Sequence, residues 1–243
     1  MKKFQMLLLF VTMLTTACAQ DFERDTFKAP NGKTVDIYAI KHGSMRIVYD
    51  GKEIEVDPVA KYAPETDYTL LPKADLILVT HEHFDHLDPE TVATLTKKST
   101  LLIANPNSSK QLKNAKVMKN GDHFKMSNGI MIDAVPAYNI TPGHEQFHPK
   151  GRDNGYILTL GGLRVYIAGD TEDIEELSLL KNIDVAFLPV NQPYTMTPEQ
   201  AARAAKMFNP KVLFPYHFGK TDVEQVKTLL SDTNIDVRIR KYQ

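Results

Sequence analysis

The segment from residue 81 to residue 86 combines side chains that bind metal ions. It reads His-Glu-His-Phe-Asp-His, so three imidazoles and the carboxylate of Asp85 fall within six residues. Neutral imidazole and carboxylate are the ligands that suit Zn²⁺ and similar divalent ions. The segment follows the apolar run from Leu76 to Val79, which is typical of a buried strand. A strand that ends in a cluster of potential ligands predicts a metal-dependent active site rather than a solvated histidine-rich loop.

Other predicted strands also end in a potential ligand or an acid. Asp57 follows the second strand of a hairpin, Asp170 follows the apolar run over 164–168, and His217 follows the run over 211–214. Loops that carry functional residues are commonly grouped at one end of a rigid scaffold. The sequence therefore predicts that these side chains converge on one site.

Length and composition limit the class of protein. The chain has 243 residues and a formal net charge of -1. This length suits one large domain with a substantial core, and the absence of a basic surplus argues against a nucleic-acid partner. Strands come first in both halves of the chain, which two packed sheets with helices on their outer faces would satisfy. Helices are predicted over 88–98, from 107 or 108 onward, and over 172–180, 197–208 and 222–230.

The first nineteen residues predict an export signal. Two lysines precede an apolar run over 4–14 that is too short to span a bilayer as a mature helix. Cleavage after Ala19 would leave residues 20–243 as the mature domain, with a polar, mobile leader over 21–30. Alternatively, cleavage occurs before Cys18, the only cysteine, which then carries a lipid. We expect an exported protein, either in a bacterial periplasm or anchored to the membrane through Cys18.

Three separated motifs resemble those of the metallo-β-lactamase superfamily. They are His-x-His-x-Asp-His at 81–86, Gly169-Asp170-Thr171, and His217 after an apolar strand. The residues at 194–197 and 215–217 further resemble the branch of ascorbate-6-phosphate lactonase-like hydrolases. The resemblance covers essentially the whole mature chain. It implies an α/β fold, a four-layer αββα sandwich with a binuclear metal site at one edge.

The resemblance also implies which residues bind the metals. The implied ligands are His81 and His83 for the first metal, Asp85, His86 and His217 for the second, and Asp170 as a bridge between them. The family's usual third histidine for the first metal is replaced here by Asn139. We expect His148 to fill this position after the intervening loop folds back, with His144 and Asn139 as alternatives.

Several other residues are candidates for supporting roles. Asp57 matches an acidic residue that the family has before its metal motif, and we expect it to orient a ligand imidazole. His42 either resembles a family histidine near the site or is bonded locally at a strand end. The remaining candidates are Tyr194 and Tyr216 for the pocket wall, Lys150 and Arg152 for an anionic substrate group, and His123 for the surface.

These features predict an exported hydrolase that uses two divalent metal ions. Zinc is the first expectation, because the di-iron flavoproteins of the superfamily usually carry a carboxylate where His83 stands; manganese and iron are the alternatives. A metal-bridging hydroxide would cleave an ester, lactone or phosphodiester bond of a small molecule, with Asp85 as the catalytic residue that orients it. The rival hypotheses are a non-catalytic metal-binding surface lipoprotein and an iron-dependent oxidoreductase of the same fold.

Overall fold

The computed structural model describes residues 22–62 and 64–242. The predicted signal sequence over 1–19, with Cys18, lies outside these residues. None of the helices in the described ranges combines the length and hydrophobicity that a membrane span requires.

The first sheet follows the alternating apolar pattern of the N-terminal half. Its seven strands are adjacent in chain order, antiparallel from the first to the fourth and parallel from there to the seventh. Asp50 and Gly51 both have positive φ, as a tight hairpin turn requires. The strands are β1 (Arg24–Lys28), β2 (Thr34–Lys41), β3 (Ser44–Tyr49), β4 (Lys52–Val56), β5 (Leu76–Val79), β6 (Leu101–Ala104) and β7 (Lys116–Val117).

The second sheet is built by the C-terminal half with the same change of direction. Its first four strands pair antiparallel and its last four pair parallel, again in chain order. The strands are β8 (His123–Lys125), β9 (Met131–Ala137), β10 (Asp153–Leu160), β11 (Leu163–Ile167), β12 (Val185–Pro189), β13 (Val212–Tyr216) and β14 (Asp236–Val237).

Helices cover the outer faces of both sheets. Val92 and Leu95 of α1 (Pro89–Leu95) pack on the outer face of the first sheet, and α2 (Pro198–Phe208) and α3 (Glu224–Leu229) pack on the second. A third apolar cluster fills the space between the sheets. The predicted αββα sandwich is therefore confirmed. The short 3-10 helices are Tyr68–Leu70, Ser108–Gln111 and Glu175–Leu179.

The polar segment over 21–30, which the sequence predicts as a mobile leader, contains β1 instead. This strand pairs with β2 from Arg24 to Lys28. Its Asp25 carboxylate accepts hydrogen bonds from Arg238 at 2.9 Å and from Arg240 at 2.7 Å. The prediction was wrong because these partners lie more than 200 residues away in the sequence, where no local pattern reveals them.

The helix predicted over 172–180 is also shorter than expected and is a 3-10 helix. Glu172 is fully buried, and its carboxylate accepts the amide hydrogens of Ile140 at 2.7 Å and Thr141 at 2.6 Å. Ile174 is extended, so helical geometry begins only at Glu175. Similarly, α1 stops at Leu95 rather than at residue 98, because Thr96 leaves the helix with extended backbone angles.

Candidate metal centre

The ends of strands from both sheets position the candidate ligands. His81 follows β5 in the first sheet, whereas Asp170 follows β11 and His217 follows β13 in the second. Strands fix the position of a side chain more accurately than free loops do. The site therefore lies where the carboxyl ends of these strands from the two sheets meet.

The first cluster joins His81, His83 and His148, whose ligand atoms lie within 4.8 Å of one another. His81 Nε2 is 3.1 Å from His83 Nδ1. His148 reaches the cluster because the loop after β9 folds back, and the Asn139 amide donates to the His148 carbonyl at 2.8 Å. This folding back is the arrangement that we expected for His148.

The second cluster joins Asp85, His86 and His217 with a fourth residue, His42. Asp85 Oδ2 lies 3.4 Å from His217 Nε2 and 3.2 Å from His42 Nε2. The rings of His42 and His217 contact each other, with their centroids 3.7 Å apart. Of the two interpretations left open for His42, the structure favours the one at the site.

Asp170 lies between the two clusters. Its Oδ2 is 3.3 Å from His148 Nε2 of the first cluster and 3.4 Å from His217 Nε2 of the second. Its Oδ1 is 3.3 Å from His86 Nε2. A carboxylate that faces both sets of imidazoles is placed to bridge two ions.

Unpartnered buried atoms show that the cluster fits metal ions. At the two clusters, the buried atoms that have no hydrogen-bond partner among the described residues include His86 Nε2, His217 Nε2 and Asp170 Oδ1. Leaving a buried polar atom unsatisfied costs about 1–3 kcal/mol. A divalent cation would bind these atoms together, and the imidazole–carboxylate donor set suits zinc and similar ions.

Carboxylates behind the imidazoles fix the orientation of the rings. His86 Nδ1 is 2.8 Å from Asp57 Oδ2, and His148 Nδ1 is 3.1 Å from Asp153 Oδ2. Asp57 is itself held by the amide of Thr80 at 2.8 Å and by its hydroxyl at 2.6 Å. In both histidines Nε2 is directed towards Asp170, as it must be if that nitrogen binds metal.

The backbone is strained at three of the residues that build the site. His42, Asp57 and His217 have φ of 42°, 45° and 53°, in the left-handed region that non-glycine residues rarely adopt. The amide of His217 donates to the carbonyl of His42 at 3.2 Å, which ties two of them together. Such strain persists only where surrounding contacts impose it, and it is concentrated at functional sites.

The electrostatics favour the protonation states that metal binding needs. Burial lowers the pKa of His81 well below its usual value and lowers that of His42 to about 4. Burial opposes ionisation of Asp170, but the neighbouring His217 and His86 hold its pKa well below the usual range. Neutral imidazole and ionised carboxylate are the ligand forms, so few protons need to be displaced.

His86 differs from the other imidazoles. Burial alone would lower its pKa, but the carboxylates of Asp170 and Asp57 raise it well above the usual value. The same negative charges that attract a proton to this ring would attract a metal cation.

Gly43 is a site residue for which the sequence offers no signal. A Cβ at this position would lie 2.6 Å from His86 Cε1 and 3.0 Å from its Nδ1. Contacts below 3.0 Å require something to move. Only glycine therefore allows the β2–β3 turn to pack on the face of His86.

The two alternatives to His148 differ in what they contact. The side-chain amide of Asn139 donates to the carbonyls of His144 at 3.2 Å and Tyr194 at 2.8 Å, so it ties two loops together. His144 Nδ1 is 3.5 Å from Glu172 Oε1 and is not among the clustered ligand atoms. The structure thus brings His148, and not His144, into the first cluster, whereas Asn139 Oδ1, the atom that could bind a metal, is buried without a hydrogen-bond partner among the described residues.

Comparison with known proteins identifies the family. The model of the β-lactamase superfamily domain matches residues 36–217, from β2 to the final candidate ligand. The chain belongs to the metallo-β-lactamase superfamily. A UPF0173 metal-dependent hydrolase from Koribacter versatilis is 32% identical over 193 residues, which cover 73% of this chain and 82% of that protein. The chain is a metal-dependent hydrolase.

Solved structures agree with this assignment. A protein from Parabacteroides distasonis, proposed to be a metal-dependent hydrolase, is 58% identical with a TM-score of 0.89; the match covers 92% of this chain and 100% of that one. A metallo hydrolase from Ignicoccus hospitalis is 24% identical with a TM-score of 0.71, covers 85% and 95% of the two chains, and shares the fold. None of these relatives tests the likeness to the lactonase-like branch, which stays a prediction.

A cavity of about 370 Å³ opens onto the two clusters of this superfamily member. Its wall includes Asp85, Asp170 and three of the clustered imidazoles. Tyr194 lines it, as the sequence suggested. Tyr216 is instead fully buried, and its hydroxyl is 3.3 Å from the carbonyl of Gly169, so it is a packing residue.

The two candidate anion-binding residues each form an ion pair with an acidic side chain. Lys150 Nζ bonds the Tyr138 hydroxyl at 2.9 Å and pairs with Glu176 at 3.0 Å. Arg152 bonds the Asp153 carboxylate at 2.7 and 2.8 Å. Neither residue lines the cavity. His123 is exposed and pairs with Asp133, which places it at the surface as expected.

Proposed function

We propose that this hydrolase cleaves an ester, lactone or phosphodiester bond of a small molecule with two divalent ions, zinc being the first expectation. The observation that carries the proposal is Asp170, whose carboxylate faces imidazoles of both clusters at 3.3–3.4 Å. A single-metal site would not need this second set of ligands. The cavity beside the clusters gives a substrate access to them.

Two divalent ions bound there would lower the pKa of a shared water and polarise the bond to be broken. The chain supplies the positioning groups. Asp85 lines the cavity and is held on one side by His42 and His217. Burial opposes ionisation of Asp85, but the neighbouring imidazoles of His217 and His42 lower its pKa. Asp85 is therefore an ionised carboxylate at the cavity surface, where it orients the attacking water as a hydrogen-bond acceptor.

The test combines metal content with turnover. Purified protein would be saturated with zinc, dialysed, and assayed with a p-nitrophenyl ester, a γ-lactone and bis-p-nitrophenyl phosphate. We expect about two zinc ions per chain, turnover of at least one substrate, and loss of turnover after chelation. Asp85→Asn should lower kcat about 100-fold or more. Asp133→Asn, which alters a carboxylate that pairs with exposed His123, is the matched control.

The rival hypotheses give different results in the same experiment. Two bound metals without turnover of any substrate would favour the non-catalytic binding protein. Iron recovered from cells, with oxygen consumption in place of hydrolysis, would favour the oxidoreductase. One metal or none under zinc-replete conditions would refute the binuclear mechanism.

We also propose that the protein acts outside the cytoplasm. The support is the pattern of lysines, apolar residues and small residues over 1–19. Cell fractionation of wild-type protein and Cys18→Ala tests this proposal. Membrane association that is lost in the variant indicates a lipid anchor, release from the periplasm in both indicates ordinary secretion, and cytoplasmic protein in both contradicts export.

A further inference from the structure

Aromatic rings form much of the cavity wall around the proposed metals. Tyr62 and Phe84 make one pair, with ring centroids 5.9 Å apart, and Phe147 and Tyr194 make another at 5.1 Å. The four rings come from four different loops, which follow β4, β5, β9 and β12. The cavity is therefore bordered by two aromatic pairs.

These rings remain accessible although they are apolar. Phe84 is 76% exposed and Tyr194 is 46% exposed, so both rank among the large hydrophobic residues that the fold leaves uncovered. Single exposed apolar residues need no explanation, but a group that lines one concave surface marks a binding site. The group adjoins Asp85 and His148, so its occupant would also reach the metal clusters.

No lysine or arginine of the described residues lines this cavity. Lys150 pairs with Glu176, and Arg152 pairs with Asp153 while its Nη2 also lies 3.3 Å from Nε2 of the cavity residue His83. Sites for phosphate or carboxylate groups usually offer such cations in paired geometry. The described residues of the cavity wall therefore offer an anionic group no cationic side chain.

The cavity does offer a hydrogen-bond donor. The side chain of Asn191 lines it and forms no hydrogen bond with another described residue. The backbone amide of Asn191 donates to the Thr195 hydroxyl at 2.8 Å, which fixes the backbone at this position. A free side-chain amide beside the clusters can donate a hydrogen bond to a neutral carbonyl oxygen.

We propose that the substrate is an uncharged ester or lactone whose apolar group binds between the two aromatic pairs while Asn191 and the metal centre hold its carbonyl. This inference rests on the proposed hydrolytic function and narrows it. It favours carboxylic ester bonds over phosphodiesters, since a phosphodiester carries a charge for which the cavity wall has no cation. It also predicts that activity rises with the length of an apolar acyl group.

Binding of hydroxamates to the zinc-loaded protein tests the inference without turnover. Isothermal titration calorimetry would compare acetohydroxamate, hexanohydroxamate and the monohydroxamate of adipic acid, which has the same length as hexanohydroxamate but ends in a carboxylate. We expect hexanohydroxamate to bind about ten- to hundredfold more tightly than acetohydroxamate, because four methylene groups leave water. The adipic compound should bind at least about tenfold more weakly than hexanohydroxamate.

Two variants and a control test whether the aromatic rings cause the dependence of affinity on chain length. Phe84→Ala and Tyr194→Ala should each reduce the ratio of the hexanohydroxamate and acetohydroxamate affinities about tenfold. Leu179→Ala removes a side chain outside the site that is about as exposed as Phe84, and it should leave this ratio unchanged. Zinc content is measured for every variant, because Phe84 lies between two candidate ligands. Tyr194→Ala, away from the ligand motif, keeps the test decisive if Phe84→Ala loses zinc.

Other outcomes would overturn the inference. Equal affinity for all chain lengths, equal or tighter binding of the adipic compound, or no binding of any hydroxamate would each do so. The ester and phosphodiester assays separate this failure from failure of the proposed function. Hydrolysis with a preference for charged substrates would refute only the proposal of an uncharged, apolar substrate. Hydroxamate binding that depends on chain length, without hydrolysis of any substrate, would refute only the proposed catalytic function.

Discussion

Replacing Gly43 by alanine should damage metal binding while leaving the fold intact. The added Cβ would lie 2.6 Å from His86 Cε1, and ordinary contact begins at 3.4 Å. The ring must therefore retreat by about 0.8 Å, four times the deviation of about 0.2 Å that metal–ligand distances tolerate. It has no free direction, because Asp57 holds its Nδ1 at 2.8 Å and Asp170 faces its Nε2 at 3.3 Å.

The expected magnitude follows from that displacement. We predict that Gly43→Ala weakens the ion bound by His86 at least as much as loss of a supporting hydrogen bond does, which is roughly tenfold to hundredfold. Zinc content after dialysis against buffered zinc should fall from two per chain towards one, and chelator competition should give the shift in affinity. Gly43 does not have a left-handed backbone, so alanine adds no backbone strain there.

Gly129→Ala is the matched control with the opposite expectation. Gly129 has φ of 88° and nothing within 4 Å of an added Cβ. Alanine there should cost about 1 kcal/mol of unfolding free energy through backbone strain and leave zinc binding unchanged. If Gly43→Ala retains two zinc ions with wild-type affinity, the reasoning from ring displacement is refuted.

Three further predictions concern single side chains. His148→Ala should lower zinc content from two towards one while His144→Ala leaves it unchanged; the reverse pattern, measured by metal analysis, would transfer the ligand role to His144. Asp57→Asn should weaken zinc binding roughly tenfold to hundredfold in chelator competition, and an unchanged affinity would show that this carboxylate does not orient His86. Burial raises the pKa of Glu55 well above its usual value, and neither carboxylate oxygen has a partner among the described residues, so its stabilising contribution exists at low pH and is lost as pH rises. Glu55→Gln should therefore add about 2 kcal/mol of unfolding free energy at pH 7–8 and little at pH 4; an equal gain at both pH values in denaturant titrations would contradict this assignment.

Much of the candidate site could be predicted because its signals are local. His81, Asp170 and His217 each follow an apolar strand within a few residues, and strand order then determines where they meet. His148 could be proposed from the sequence because Asn139 stands where a ligand was expected and a histidine follows nearby. These inferences needed the order of the elements and the resemblance to the family's ligand pattern, and no knowledge of contacts between distant residues.

The remainder depended on contacts between distant residues. Gly43 is required because a Cβ at this position would collide with the face of the His86 ring. The strand β1 is held by hydrogen bonds from two arginines near the C-terminus. The predicted role of Lys150 in anion binding found no support because Tyr138 and Glu176 occupy its ammonium group. A charged residue in a loop has the same appearance in a sequence whether or not it has a partner in the fold.

The ligand set draws on both sheets, since His81 to His86 follow β5 of the first and Asp170 and His217 follow strands of the second. A bound ion would thus act as a cross-link between the two halves of the sandwich, and neither half could form the site alone. Ligand binding at 100 times the dissociation constant adds about 2.7 kcal/mol to the stability of a folded state. The supply of that metal would then set how much mutational damage the cores of both sheets tolerate before the protein unfolds.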